Sequence, residues 1–157
     1  MNLQRPPVAK AEMLVRKPVA DVFQAFVDPA VTTKFWFTKS SGPLAVGKKL
    51  RWDWEMYGVS THVAVREIEE NRRILIDWDG PPTQVEWLFV PRADGTTFVS
   101  ITSSGFVGTG DEVASQAIDS MGGFSLVLAG LKALLEHNVI LNLVADHSPD
   151  SHRNPAA

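Results

Sequence analysis

The chain is 157 residues long, 45 % hydrophobic and 21 % charged, an ordinary globular balance with enough length to bury one sizeable core. Its formal net charge of −3 argues against a general nucleic-acid binder, which needs clustered Lys and Arg to displace counterions from phosphates. The absence of cysteine excludes disulfides, thiolate metal sites and a cysteine nucleophile, and fits a cytoplasmic protein.

The N-terminal stretch MNLQRPPVAKAEM has no apolar run of the kind a signal peptide needs. Residues 8–17 read as a first strand. Pro18 suits the first turn of a helix, where its missing N–H costs nothing. Val19, Val22, Phe23 and Phe26 then follow at i, i+3, i+4 and i+7, the stripe of a short amphipathic helix. Asp28-Pro29 ends it and starts another, with Asp28 as N-cap and Pro29 as the first helical residue. Val31, Phe35 and Trp36 are expected to face inward from this second helix, and Ser41-Gly42-Pro43 marks a turn.

The period next changes from 3.6 to 2. Over residues 49–57, Leu50, Trp52, Trp54 and Met56 alternate with Arg51, Asp53 and Glu55, a half-buried strand with one charged face. Gly58 is a turn. Residues 59–69 form the next strand, 73–78 a short one, and Gly80-Pro81-Pro82 a loop. Residues 84–91 carry Val85, Trp87 and Phe89 on one face. Asp94-Gly95 is a hairpin signal, and residues 96–106 are the last strand. About six strands joined by tight turns imply an antiparallel meander.

The helical period returns over residues 112–137, where Ala117, Met121, Phe124, Val127, Leu128, Leu131, Leu134 and Leu135 make one stripe. Asp111 and Glu112 favour the positive end of the helix dipole, and Asn138 is the expected stop. Gly130 and Lys132 interrupt the apolar run, so no membrane span is expected. Gly122-Gly123 costs roughly 1 kcal/mol per glycine in a helix interior, which implies a bend or a close neighbour. The run VILNLV at 139–144 can be an extra strand, a further helical turn or a partner-facing patch; packing against the body is favoured. Residues 145–157 are expected to be a flexible tail. With no repeat or linker, the chain reads as one domain, 1–157, with its core at about 8–138.

Three stretches carry a family resemblance: KPVADVFQAFVDPAVTTKFWF, VGKKLRWDWEMYG followed by RRILIDWD, and GGFSLVLAGLKALLEHN. Together they resemble the START/Bet v-type superfamily known as SRPBCC. Within it they are most similar to the activator of the 90-kDa heat-shock protein ATPase-like family, whose bacterial members are often labelled polyketide-cyclase-like. Phe124 stands where that family commonly has Trp, which keeps an aromatic anchor. The resemblance implies an α+β helix-grip fold, a curved antiparallel sheet wrapped around a long C-terminal helix with two short helices after the first strand. It also implies possible partners in a 90-kDa chaperone, a role in stress response, or a homodimer. It does not choose among carriers, cyclases and co-chaperones, so function rests on the site.

The residues exclude most chemistries. There is no Gly-x-Ser-x-Gly elbow, and Ser103-Ser104-Gly105 reads as turn chemistry. His62, His137, His147 and His152 have no metal-binding spacing, so no metal or other cofactor is expected. The glycines of GFVGTGDE have the wrong spacing for a phosphate loop and read as a loop over a pocket mouth around Gly108. Most strand carboxylates should face solvent. Tyr57, His62 and Asp77 are the weak acid–base candidates, because a bulge can turn one inward. The stronger signal is apolar. Trp36, Trp52, Trp54, Met56, Trp78, Trp87 and Phe89, with Met121, Phe124, Ser125 and Leu128 from the long helix, fall on or near the expected inner face. A helix laid across a strongly bent sheet cannot fill both ends of the concavity. The expectation is a cavity for a small apolar, aromatic or lipid-like ligand.

Overall fold

The computed structural model describes residues 2–79 and 82–152. Seven strands form one antiparallel sheet: β1 (Ala9–Val15), β2 (Lys39–Ser40), β3 (Lys49–Trp54), β4 (Val59–Glu69), β5 (Arg73–Trp78), β6 (Thr83–Pro91) and β7 (Thr97–Ser104). Their order across the sheet is β1-β7-β6-β5-β4-β3-β2. The strand beyond the expected six is β2, two residues that pair Lys39 with Asp53 and Ser40 with Trp52, too short to leave a period-2 signal. Gly80 and Pro81, placed in a loop by the sequence, lie outside the described residues, as do residues 153–157 of the expected tail.

The alternation sorts the strands into two faces. Trp52, Trp54, Val63, Val65, Ile74, Ile76, Val85, Trp87, Phe89, Val99 and Ile101 are buried. Opposite them runs a row of ion pairs: Arg51–Asp53 within β3, and across strands Arg66–Asp77 and Arg73 with both Glu67 and Glu86. One bulge breaks the β4–β5 register between Val65 and Glu67. It does not reverse the faces upstream, so His62 stays exposed and Asp77 stays on the outer, ion-paired side.

Two short helices follow β1: α1 (Val19–Val27) and α2 (Pro29–Thr32). Asp28 caps α2 by accepting the Ala30 backbone N–H at 3.0 Å. The Thr32 hydroxyl is fully buried and donates to the Ala25 carbonyl at 2.6 Å, tying the two helices together. They deliver Phe35, Trp36 and Phe37 into the core.

The long helix α3 spans Gly110–His137 and crosses β1 and β7. Its start is fixed by a capping box that the sequence reading passed over: Thr109 accepts the Glu112 N–H, and Glu112 accepts the Thr109 N–H at 2.7 Å. By length and composition α3 could cross a membrane. Here Val127, Leu128, Leu131 and Leu134 are buried against the sheet, which makes it the core helix. No element packs against Gly122-Gly123 (a Cβ at either would meet nothing within 4 Å). The close approach is instead at Gly130. After Asn138, in the left-handed conformation (φ 54°), the chain continues through residues 139–142 to a one-turn helix, α4 (Leu143–His147), and a 3₁₀ turn, Pro149–His152. Part of the expected flexible tail is therefore built into the structure.

Candidate functional site

β3 ends earlier than the alternation suggests. At Glu55–Tyr57 the chain makes a 3₁₀ turn, closed by Gly58 in the left-handed region (φ 62°). The turn removes Met56 from the inner face and swings Tyr57 toward the C-terminal end of the fold. Between this end of the sheet and the first half of α3 the concavity stays unfilled, leaving an open cleft of about 800 Å³, within the usual range for a ligand pocket.

The cleft has an aromatic floor. Trp36, Trp54, Trp78 and Phe124 line it, with Phe106 at the mouth. Trp54 and Trp78 stack with centroids 6.0 Å apart and planes 25° apart. Trp36 is wedged among Trp52 (4.9 Å), Phe37 (5.3 Å) and Trp78 (5.9 Å). Offset and edge-on contacts of this kind add roughly 0.5–1.5 kcal/mol each beyond area burial, so the floor is rigid. The rim is polar: Ser60, Thr61 and Thr83 from the strands, Gln116, Asp119 and Ser120 from α3. The Gln116 amide is oriented by donating to the Val107 carbonyl at 3.1 Å. Its buried Oε1 has no hydrogen-bond partner among the described residues, which leaves an acceptor for a donor in the cleft.

The predicted residues do not all reach the cleft. Trp36, Trp54, Trp78, Phe124 and Tyr57 reach the cleft. Trp52, Trp87, Phe89 and Leu128 lie beneath it at 1 % exposure or less; they hold up the floor and are not among the residues that line it. Met121 and Ser125 face away: Met121 is 47 % exposed, and the Ser125 hydroxyl donates back to the Met121 carbonyl at 2.7 Å. Met56 borders a second, smaller cavity of about 140 Å³ together with Phe35, Gly130 and Leu141. Of the acid–base candidates, His62 and Asp77 are outside, for the reason given above. Tyr57 is at the cleft wall, where its hydroxyl donates to the Val144 carbonyl and sits 3.4 Å from that of Ala145. Burial and the nearby Asp146 carboxylate raise its pKa, against a smaller opposing effect of the Ser148 backbone N–H. The phenol therefore remains a neutral donor at physiological pH.

The sequence reading missed Gln116, Ser120 and Gly123. Stepping back from Val127 by 4, 3 and 4 residues lands on all three, so the helical phase contained them. Met121 is hydrophobic but out of phase with them. His147 and Val144 also line the cleft, and nothing in the sequence indicated that the chain after Asn138 returns there. Among the described residues, no group of three or more His, Cys, Asp or Glu is placed to hold a metal ion.

This architecture recurs in solved structures. The protein SSP2350 from Staphylococcus saprophyticus superimposes with a TM-score of 0.75 at 29 % identity, covering 86 % of this chain and 96 % of that one. DynU16, a protein of the dynemicin biosynthetic locus, gives 0.71 at 24 % identity over 85 % of this chain; the match covers 48 % of DynU16, so this chain spans about half its length. The Aha1 dimer from Colwellia psychrerythraea gives 0.70 at 19 % identity, over 83 % and 97 %. The sequence matches no curated protein. Residues 16–136 match the family model described as activator of Hsp90 ATPase homolog 1-like protein, and with more than half of its length matched the chain belongs to that family.

Proposed function

We propose that this chain is a cytoplasmic binding module that holds a small apolar or aromatic molecule between the β3–β4 end of the sheet and α3. The observation that carries this reading is the rigid aromatic floor beneath an open cleft of about 800 Å³. A solid core needs no such void, and the polar groups at the rim suit orientation of a ligand better than reaction with it. The other four tryptophans line or support the floor within 6.5 Å of Trp36, so indole emission should report occupancy. Titration with N-phenyl-1-naphthylamine, alkylphenols and fatty acids should give a saturable change in emission for at least one class. A flat response to every class, at concentrations up to their solubility, sinks the reading.

A second reading, a co-chaperone-like partner of a 90-kDa heat-shock protein homologue, is supported by the family match and by one surface feature. Val139, Ile140 and Leu141 are consecutive and each 42–50 % exposed, an apolar patch in the run for which the sequence left a partner-facing role open while favouring packing against the body. If purified protein leaves the ATPase rate of such a chaperone unchanged and shows no binding to it, this reading goes. An acid–base enzyme acting in the cleft would now rest on Tyr57, Asp119 and His147 in place of His62 and Asp77. Sedimentation of the purified chain tests a homodimer.

A further inference from the structure

The cleft is closed on one side by a stretch of chain that is thinly attached. Past Asn138 the backbone runs through the exposed Val139–Leu141, passes a second left-handed residue, Asn142 (φ 55°), and makes only the single turn of α4. Non-glycine residues rarely adopt this conformation, asparagine most readily, so the two asparagines mark where the chain changes direction. Between them and the end of α4, both flanks are incompletely packed. On one side Val144, His147 and Ser148 border the main cleft. On the other, Leu141, Val144 and Ala145 border the cavity of about 140 Å³.

Two residues are common to both voids, Trp36 and Val144. Trp36 is held on several sides by aromatic rings and is 7 % exposed. Val144 is half-buried on a five-residue helix. It packs against the edge of the core and is also held by the Tyr57 hydroxyl, which reaches from the turn after β3 to the carbonyls of Val144 and Ala145. Segments with few buried contacts and a void on each side are drawn from the low end of the local stability range.

We infer that residues 139–148 are a movable wall of the ligand cleft, latched by Tyr57, and that displacing Val144 joins the two voids into one longer site. This rests on the reading of the cleft as a ligand site and deepens it by naming the ligand shape. The main cleft offers stacked Trp54 and Trp78 to a ring. The smaller void is bordered by Phe35, Met56 and Leu143, which suit an alkyl chain. The joined site adds a branch of about 140 Å³ to the ring site and so favours an alkyl-substituted aromatic molecule; with the wall latched, the alkyl chain has no access to that branch.

The chain has no cysteine, so Ala145→Cys places a single thiol on the half-buried wall. Its rate of reaction with 5,5′-dithiobis(2-nitrobenzoate) measures opening. Adding Tyr57→Phe, which removes the latch hydroxyl and keeps the ring, should raise that rate roughly five- to tenfold, the equivalent of one ordinary hydrogen bond. Equal rates in the two backgrounds overturn the wall. In parallel, 4-n-alkylphenols from ethyl to nonyl are titrated against displacement of N-phenyl-1-naphthylamine. Tyr57→Phe and, separately, Val144→Ala should each raise the affinity of the long members relative to the short ones about tenfold. The ratio cancels any effect of either substitution on ring binding. An unchanged chain-length profile in both variants overturns the joined site. If no phenol and no probe binds at all, the cleft reading fails, and the thiol rates still decide the wall.

Discussion

A Cβ added at Gly130 would lie 3.3 Å from the Phe35 Cβ and 3.4 Å from its carbonyl oxygen. Both neighbours are fixed, one being backbone and the other the root of a buried side chain, so neither can give way cheaply. Gly130→Ala should therefore destabilise the fold by about 1–2 kcal/mol, even though alanine gains nearly 1 kcal/mol in helix propensity. Gly123 is the opposite case. It borders the cleft and a Cβ there would meet nothing within 4 Å. Gly123→Ala should raise stability by up to about 1 kcal/mol, while its methyl group narrows the cleft and weakens probe binding. Thermal unfolding and a fluorescence titration on the two variants separate these outcomes. Both glycines look alike in the sequence, each a flaw in an apolar helical run. Only the path of Phe35, 95 positions earlier, distinguishes the one that fits a neighbour from the one that leaves space.

At the level of elements, α3 does more than cover the sheet. β1 lies at the sheet margin, and its outer side carries backbone groups that no strand pairs. Lys132 donates to the Leu14 carbonyl at 2.8 Å, and the Arg16 N–H donates to Glu136 at 3.0 Å. Lys132 and Glu136 also pair with each other at 2.6 Å. The helix thus seals the C-terminal end of an edge that would otherwise be open to another strand. Burial pushes the Glu136 pKa up, but the Arg16 N–H and the Lys132 ammonium together carry it below the ordinary glutamate value. The folded state therefore binds this proton more weakly than the unfolded state. The resulting stability is complete above the ordinary glutamate pKa of about 4.3 and is lost as pH falls through the lowered native value. Urea unfolding of Glu136→Gln should show lower stability at pH 7, by about 1–3 kcal/mol, and a smaller loss than the parent between pH 5 and pH 3. An identical acid slope in both proteins contradicts the assignment. The sequence announced the helix through its apolar stripe. It did not announce this edge seal, because Lys132 and Glu136 read as an ordinary exposed i,i+4 pair and the partner strand lies more than a hundred residues away. The capping box at Thr109 is a different matter: Thr-x-x-Glu is legible locally.

Across the whole molecule, core and candidate site are one aromatic assembly. Phe26, Trp36, Phe37, Trp52, Trp54, Trp78, Trp87 and Phe124 are linked by ring contacts of 4.6–6.5 Å. Strand alternation was enough to place Trp52, Trp54 and Trp87 on the inner face. It could not tell which of them reach the void, because that depends on where α3 lifts off the sheet. Substitution can. Trp52 is 1 % exposed and stacks on Phe37 at 4.6 Å with planes 20° apart. Trp52→Ala leaves a cavity with no route to solvent and should cost about 3–5 kcal/mol. Trp78 is only half-buried and has one side against the cleft. Its removal forfeits fewer contacts and lets water in, so Trp78→Ala should cost less than half as much while abolishing the emission response to an aromatic probe. Trp78→Phe should recover most of the binding, because a ring still lies against Trp54. If the two alanine variants lose stability equally, the floor is simply core. If Trp78→Ala binds the probe with unchanged affinity, the ligand does not sit on the Trp54–Trp78 stack, and the cleft's aromatic character is a consequence of folding alone.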